Sequence, residues 1–325
     1  MATLKDVANE TGLTVSTVSR ILNNRGYISQ QSREKVYAAM KKLNYQPNEV
    51  ARSLLKRHTN TIGVIVPHIV HPYFADLIHH LETAAAEKSY KILLCNSHQQ
   101  PAREQEYINM CSSNRVAGIV ICSALVNDLK LANLDIPVVV IEKNRSEGIH
   151  CIHCDNYQGG ALATQLLIDS GCRHLLHFRD VVDEAMPADN RAAAFFDVAE
   201  KNHIDAREIR FPKEFYESLE YVDRITEGLK ANPETDGIFA SSDLIAAQVL
   251  LSCHRLGKRV PQDIKLVGFD DAPLASITIP QITTVHQPIR EMAQLAISAI
   301  IKRNEGETVP TDTMLPVHIV RRESC

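Results

Sequence analysis

The sequence predicts an α/β protein in which a small three-helix headpiece precedes two doubly wound parallel α/β lobes. Three observations predict it. In the first sixty residues, apolar positions recur at helical spacing in three short stretches set off by capping and turn residues. Beyond them, short continuous apolar runs alternate with helical stretches, as expected of strands buried on both faces of parallel sheets. The 325 residues, 45% apolar and 23% charged, make an ordinary globular composition with room for two or three domains. Apolar runs such as Val138-Val139-Val140-Ile141 fall far short of the ~20 residues of a membrane span. Met1-Ala2-Thr3-Leu4-Lys5-Asp6 carries no apolar signal core, and eight scattered cysteines show no disulfide framework. The expectation is a cytoplasmic protein with free thiols.

The net charge of −4 conceals an asymmetry. Residues 1–58 hold ten Lys/Arg against four Asp/Glu, a net of +6, and the remainder holds 25 against 35, a net of −10. A basic module on an acidic body points the module alone at a polyanion.

The headpiece elements read in order. Thr3 caps a first helix, with Asp6 as the acidic partner of a capping box, and Val7 and Ala8 follow inside it. Gly12 turns the chain. Thr14 caps a second helix in which Val15, Val18, Ile21 and Leu22 keep helical spacing, and Asn23-Asn24-Arg25-Gly26 ends it. Ser29 caps a third helix, with Val36, Met40 and Leu43 on one face and Pro47 beyond its end. Two short helices about a tight turn, braced by a third, form a helix-turn-helix arrangement, whose second helix enters the major groove of DNA. With Val18, Ile21 and Leu22 packed inward, Val15, Ser16, Thr17, Ser19 and Arg20 are left to face outward. Arg20 has the fork to pair with guanine, Val15 suits a thymine methyl, and the short hydroxyls reach bases or phosphates. The plain alternative is a three-helix domain with a solvated polar face.

The run Asn44-Tyr45-Gln46-Pro47-Asn48-Glu49-Val50-Ala51-Arg52-Ser53-Leu54 follows the third helix. Together with Val7-Ala8 and Val15-Ser16-Thr17-Val18-Ser19-Arg20-Ile21-Leu22-Asn23, it resembles the lactose/galactose repressor family of bacterial transcription factors. The resemblance implies a DNA-binding headpiece over residues 1–46, a hinge helix and linker over 47–58, and a two-lobed effector-binding and dimerisation domain over 59–325. It matches the recognition positions to Val15, Ser16 and Arg20 and the hinge wedge to Leu54, and the expected DNA contacts in all are Thr14, Val15, Ser16, Thr17, Ser19, Arg20, Asn23, Ala51, Arg52, Ser53 and Leu54. Leu54 matches the family's minor-groove wedge, which unstacks a base step, although a core leucine in a linker is the plainer reading. Leu55 departs from the pattern, since many purine- and ribose-type members carry Lys there.

In the body, strand-like runs are Thr61–Val66, Lys91–Cys95, Ala117–Cys122, Val138–Ile141, His174–Phe178, Asp236–Ala240 and Ile264–Phe269. Helical stretches lie near 73–88, 102–112, 157–170, 190–202, 218–230, 243–257 and 288–303. The length and the lack of an eightfold repeat favour two lobes over a barrel. The resemblance covers the body too, implying a fold like that of periplasmic sugar-binding proteins, with the chain crossing between lobes near 158–162, 286–290 and 317–320.

Ligands of open α/β sheets sit beyond the carboxyl ends of the strands. One such end reads Val66-Pro67-His68-Ile69-Val70-His71-Pro72-Tyr73-Phe74, where the family has Asn in place of His71. Tyr73 and Phe74 suit stacking on a sugar or base, or plain helix–sheet packing, and Asp76 lies on the same helix. The resemblance assigns Arg191 and Asp270 to the effector and adds Tyr216, Ser242 and Asp243. Ser242 stands where the family often has Asn, and Asp243 is also a helix-cap candidate. Each of these residues also has a structural reading. Cys151-Ile152-His153-Cys154 has metal-like spacing but no second ligand pair, so buried strand thiols are expected, with no metal and no cofactor. The histidines at 68, 71, 79 and 80 read as groove-lining or surface groups.

The expected function is a homodimeric DNA-binding regulator, a repressor of a sugar-utilisation operon. It would bind a pseudo-palindromic operator under control of a sugar or sugar phosphate in the inter-lobe cleft. Cys95-Asn96-Ser97, Asp155-Asn156 with Gly159-Gly160, and Gly171-Cys172 look similar to sucrose-operon repressors, with ribose-type repressors next. The alternative is a cytosolic α/β sugar-binding protein or enzyme with an incidental basic N-terminal module.

Overall fold

The computed structural model describes residues 2–22, 26–46, 58–122, 131, 133–143, 148–180 and 186–325. The chain divides into two compact units, residues 1–59 and 60–325.

The first unit holds α1 (Leu4–Thr11), α2 (Val15–Leu22) and α3 (Gln30–Lys42). The capping box forms as expected: the Thr3 hydroxyl accepts from the Asp6 N–H at 3.3 Å, and Asp6 Oδ2 accepts from the Thr3 N–H at 2.8 Å. Gly12, at φ 67°, takes the left-handed turn into α2. The Thr14 hydroxyl accepts from the Thr17 N–H at 3.1 Å and starts α2, and Ser29 starts α3 in the same way. Val7, Ala8, Val18, Ile21, Val36 and Ala39 form one small core, with Leu22, Met40 and Leu43 half-buried against it. Lys42 and Glu10 join α3 to α1 at the surface, 2.7 Å apart.

The second unit contains two six-stranded sheets. One orders β11 (Asp312–Leu315), β5 (His150–Cys154), β4 (Val138–Ile141), β3 (Gly118–Ile121), β1 (Thr61–Val66) and β2 (Lys91–Asn96), every pair parallel. The other orders β12 (His318–Val320), β10 (Thr283–His286), β9 (Lys265–Asp270), β8 (Gly237–Ala240), β6 (His174–Asp180) and β7 (Asp205–Phe211). In that sheet only β12 runs antiparallel to its neighbour. The helices are α4 (Pro72–Glu87), α5 (Pro101–Ser113), α6 (Asn156–Asp169), α7 (Asp189–Lys201), α8 (Lys213–Ser218), α9 (Val222–Ala231), α10 (Asp243–Arg255) and α11 (Ile289–Asn304).

The chain passes between the lobes three times. It leaves β5 in the first sheet and enters α6, whose Leu166 and Leu167 pack with Phe239, Val267 and Phe269 of the second. It returns after β10, because Met292, Ala296 and Ile300 of α11 pack on Ile62, Val64 and Leu81. The third passage separates β11 from β12 at residues 316–317. The first crossing falls at Asp155, ahead of the expected 158–162, because the Asp155 carboxylate accepts from the Gln158 N–H at 2.9 Å and starts α6 there. The third overlaps the start of the expected 317–320.

The Cys151–Cys154 segment is strand β5. Residues three apart in a strand face opposite sides. Cys151 accordingly joins Ile65 and Val140 on one side, and Cys154 joins the core of the second lobe on the other. These two thiols do not converge on an ion. Among the described residues no cluster of three or more His, Cys, Asp or Glu is arranged to hold a metal, and no helix is long and apolar enough to cross a membrane.

Candidate functional site

Two surfaces carry the sequence-predicted residues. On the headpiece, Val15 is 43% exposed, Ser16 and Arg20 are exposed, and Thr17 and Ser19 are half-buried, while Val18 and Ile21 point into the core. Thr14 is exposed, and its hydroxyl also meets those of Ser16 and Thr17 at 2.9 and 2.8 Å, so the first turn of α2 presents a linked row of hydroxyls. Asn23, Ala51, Arg52, Ser53 and Leu54, and the expected hinge as a whole, lie outside the described residues.

The second surface is a partly open cavity of about 130 Å³ between the lobes of residues 60–325. Tyr73, Phe74, Arg191, Tyr216 and Asp270 all line it. Ser242 and Asp243 do not. Ser242 caps α10, accepting from the Ile245 N–H at 3.3 Å. Asp243 is fully buried behind the cavity wall, where it accepts from the Ala272 N–H at 2.8 Å and the Thr284 hydroxyl at 2.6 Å. Both residues support the β8 and β9 ends, and neither is among the residues lining the cavity.

Arg191 is held from several directions. Its Nε donates to Asn156 Oδ1 at 2.7 Å and its Nη1 to the Ser241 carbonyl at 2.6 Å. Its guanidinium carbon lies 3.5 Å from the centre of the Phe269 ring, and Asp270 Oδ1 is 4.0 Å from Nη1. The first crossing builds this seat. A side chain on Gly160 would fall on the Arg191 backbone, and one on Gly159 would strike the Phe269 ring at 2.6 Å. Two small residues at the start of α6 let α7 and β9 close in.

Sequence reading missed the residues that complete the network. Glu142 follows β4 and its Oε2 accepts from Asn156 Nδ2 at 2.9 Å, while its Oε1 accepts from the Cys154 N–H at 2.7 Å. A continuous chain thus runs from Glu142 in the first lobe through Asn156 at the crossing to Arg191 in the second. Gln287, at the second crossing, donates to Asp270 Oδ1 at 2.7 Å. Asp180, Asp189 and Arg179 also line the cavity. The available signal was position: Asp180 and Glu142 stand at or just after the carboxyl ends of β6 and β4. Glu142 (φ 54°) and Asp270 (φ 116°) both hold backbone angles disfavoured for residues with a Cβ, which points the same way.

Burial sets the electrostatics. It pushes the Asp270 carboxyl up to about 7, with Arg191 and Gln287 pulling it down and the Glu142 charge adding to the rise. Burial likewise pushes Asp180 up to about 7, against a lowering contribution from Tyr221. His71, in the position where Asn was expected, caps α4 through a 3.3 Å bond from the Tyr73 N–H. Burial, with His68 and Arg191 nearby, lowers its imidazole to about 3, so it is neutral. Tyr216 reaches from α8 of the second lobe into the apolar cluster of the first, its ring 5.2 Å from that of His68. His79 and His80 lie farther along α4, where His80 approaches Asp76 at 3.7 Å.

Residues 3–48 match the bacterial regulatory proteins of the lacI family, and residues 164–325 match a periplasmic binding protein-like domain. Over 100% of its length the chain is 34% identical to the ribose operon repressor of Halalkalibacterium halodurans, covering 97% of that protein. The chain belongs to the lacI family. As a lacI-family protein it is a DNA-binding transcriptional regulator. It is also 33% identical to the sucrose operon repressor of Pediococcus pentosaceus, over 98% of each chain. A periplasmic binding protein/LacI transcriptional regulator from Alkaliphilus metalliredigens QYMF, solved in complex with D-xylulofuranose, superposes with a TM-score of 0.74. It is 31% identical to this chain and covers 82% of it, with 99% of its own length matched.

Proposed function

We propose that this lacI-family regulator is a cytoplasmic homodimeric repressor of a sugar-utilisation operon, whose operator affinity is set by a small sugar held between its lobes. The observation that carries this is one chain bearing both surfaces: a basic headpiece with hydroxyls and Arg20 exposed along α2, and a partly open inter-lobe cavity lined by carboxylates, arginines and aromatic rings. Carboxylates and amides that accept from hydroxyls, with rings to stack on the C–H face, form the usual chemistry of carbohydrate sites. The names of the ribose and sucrose repressors, and the sugar in the solved neighbour, support the same ligand class.

The headpiece is assigned to residues 1–46, the hinge and linker to 47–58 and the effector domain to 59–325. Two headpieces on a pseudo-palindrome require a dimer. Ile277 and Ile279, 75% and 95% exposed on the second lobe, offer apolar surface for one. The family match over residues 3–48 weighs against an incidental basic module and so against the sugar-binding-enzyme alternative.

The test begins with selection of DNA from a random pool by the full chain, which should return an inverted repeat. D-Ribose, sucrose and D-xylulose are then screened for a rise in melting temperature and a change in affinity for that repeat. Asp270→Ala should abolish the sugar's effect on DNA binding and leave sugar-free affinity within about twofold, since coupling and DNA contact are separate free energies. Recovery of asymmetric DNA, or an unaltered sugar response in Asp270→Ala, would refute the assignment it bears on.

A further inference from the structure

Building on the sugar reading of the cavity, we infer that this site selects a free, uncharged sugar and excludes its phosphate esters. The ionisable acid and arginine residues described in its wall are Glu142, Asp180, Asp189 and Asp270 against Arg179 and Arg191, an excess of two acidic groups. Both guanidiniums are already engaged. Arg179 donates to Asp189 Oδ1 at 2.7 Å and to Glu208 Oε2 at 3.0 Å. Arg191 holds Asn156 through Nε and the Ser241 carbonyl through Nη1 and lies over the Phe269 face, with Asp270 4.0 Å from Nη1. A phosphate is held best by a bidentate fork, and in both arginines Nε and Nη1 are already committed to protein acceptors.

The unmet hydrogen-bonding capacity points the same way. Three buried polar atoms on wall residues have no partner: Tyr73 Oη, Asp180 Oδ1 and Gln287 Oε1. Gln287 Oε1 only accepts, and so does Asp180 Oδ1 when ionised, with the Tyr221 hydroxyl beside that carboxyl, so a ligand that brings O–H or N–H donors is favoured. A polyol supplies donors at every hydroxyl. A phosphate dianion supplies acceptors alone and would meet the carboxylates of Glu142 and Asp189 with like charge, joined by Asp180 and Asp270 wherever these are ionised.

The experiment uses the full chain and matched pairs: D-ribose, D-fructose, D-glucose and sucrose, each beside its phosphate ester. Melting temperature and affinity for the selected operator are both read. The expected result is that the free sugar that raises the melting temperature binds at least ~tenfold more tightly than its ester. An ester that binds as tightly as its parent overturns the inference and leaves the sugar reading standing. Silence from every pair removes the sugar reading and this inference with it, while operator binding is scored independently.

Two variants test the cause. Asp180→Asn lowers the negative charge, and Asp189→Asn frees Nη1 of Arg179, whose Nε stays on Glu208. Each, confirmed folded by its own melt, should narrow the ratio between sugar and ester by threefold or more, on the order expected for one charge in a partly screened site. An unchanged ratio in both would assign the exclusion to shape and overturn the electrostatic account.

Discussion

Arg20 stands exposed in the last turn of α2, and Asp180 carries a buried oxygen without a partner; each makes a separable prediction. If Arg20 pairs with a guanine, Arg20→Ala costs ~1–3 kcal/mol on the operator and relaxes preference at one base pair per half-site. Competition with single-base operator variants checks this, and uniform weakening on all sequences would make Arg20 a phosphate contact instead. Asp180 is raised from 3.8 to about 7 by burial. A carboxyl raised on folding keeps its proton longer in the folded state. Its contribution to stability is therefore unimpaired below about 4 and becomes a cost as pH climbs to about 7. Asp180→Asn removes that cost, so in the sugar-free protein the variant should melt ~2–4 °C above wild type near pH 8. The gap should close near pH 4. Melts of both proteins across that range decide it, and a gap independent of pH would show that ionisation is not the cause.

At the scale of elements, α6 is where the sequence was both informative and incomplete. Its helical span was legible, because Leu166, Leu167 and their neighbours keep helical spacing. The use of Gly159-Gly160 was not, because it depends on Phe269 and on the Arg191 backbone, residues 31 or more positions away along the chain. Gly160→Ala should force α7 off α6, cost ~1–3 kcal/mol as overpacking and displace Arg191. Sugar response should fall with it and operator affinity in the absence of sugar should hold. A variant with wild-type melting and full sugar response would show that the contact relaxes freely. Strands followed the same division. β1, β3 and β4 are continuous apolar runs and read directly. β7 (Asp-Ala-Arg-Glu-Ile-Arg-Phe) and β11 are edge strands carrying polar residues, and β12 and β10 are only three and four residues long, so their patterns do not rise above those of loops.

For the whole molecule, the regulatory proposal requires a link between sugar and operator, and residues 47–56 are the segment assigned to it. Leu54→Ala separates a wedge from a linker. As a wedge, Leu54 of each protomer enters a central base step, and its loss should weaken operator binding tenfold or more, by ~1.4 kcal/mol or above. It should also reduce DNA bending, while nonspecific binding, which rests on the headpiece Lys/Arg charges, stays unchanged with its salt dependence intact. Gel shifts with the site permuted along the fragment measure the bend. Normal bending by the variant would return Leu54 to the linker reading.

The sequence by itself determined the headpiece caps and core and the alternation that builds two parallel lobes, and, of the seven effector residues expected mainly from the family resemblance, five line the cavity. Those features rest on local rules: a capping hydroxyl three residues from its amide, a period of apolar positions, and a ligand beyond the ends of strands. What only the tertiary structure decided was the division of labour among polar residues that look alike in the chain. Asp243 and Asp270 both follow apolar strands and both are buried, yet one braces Ala272 and Thr284 and the other faces the cavity beside Arg191. Glu142, Asn156 and Gln287 have no local signature, because their roles are set by partners brought together across the crossings. A carboxylate's local sequence does not disclose which donors folding will bring to it, and those donors determine whether it holds the fold or waits for a ligand.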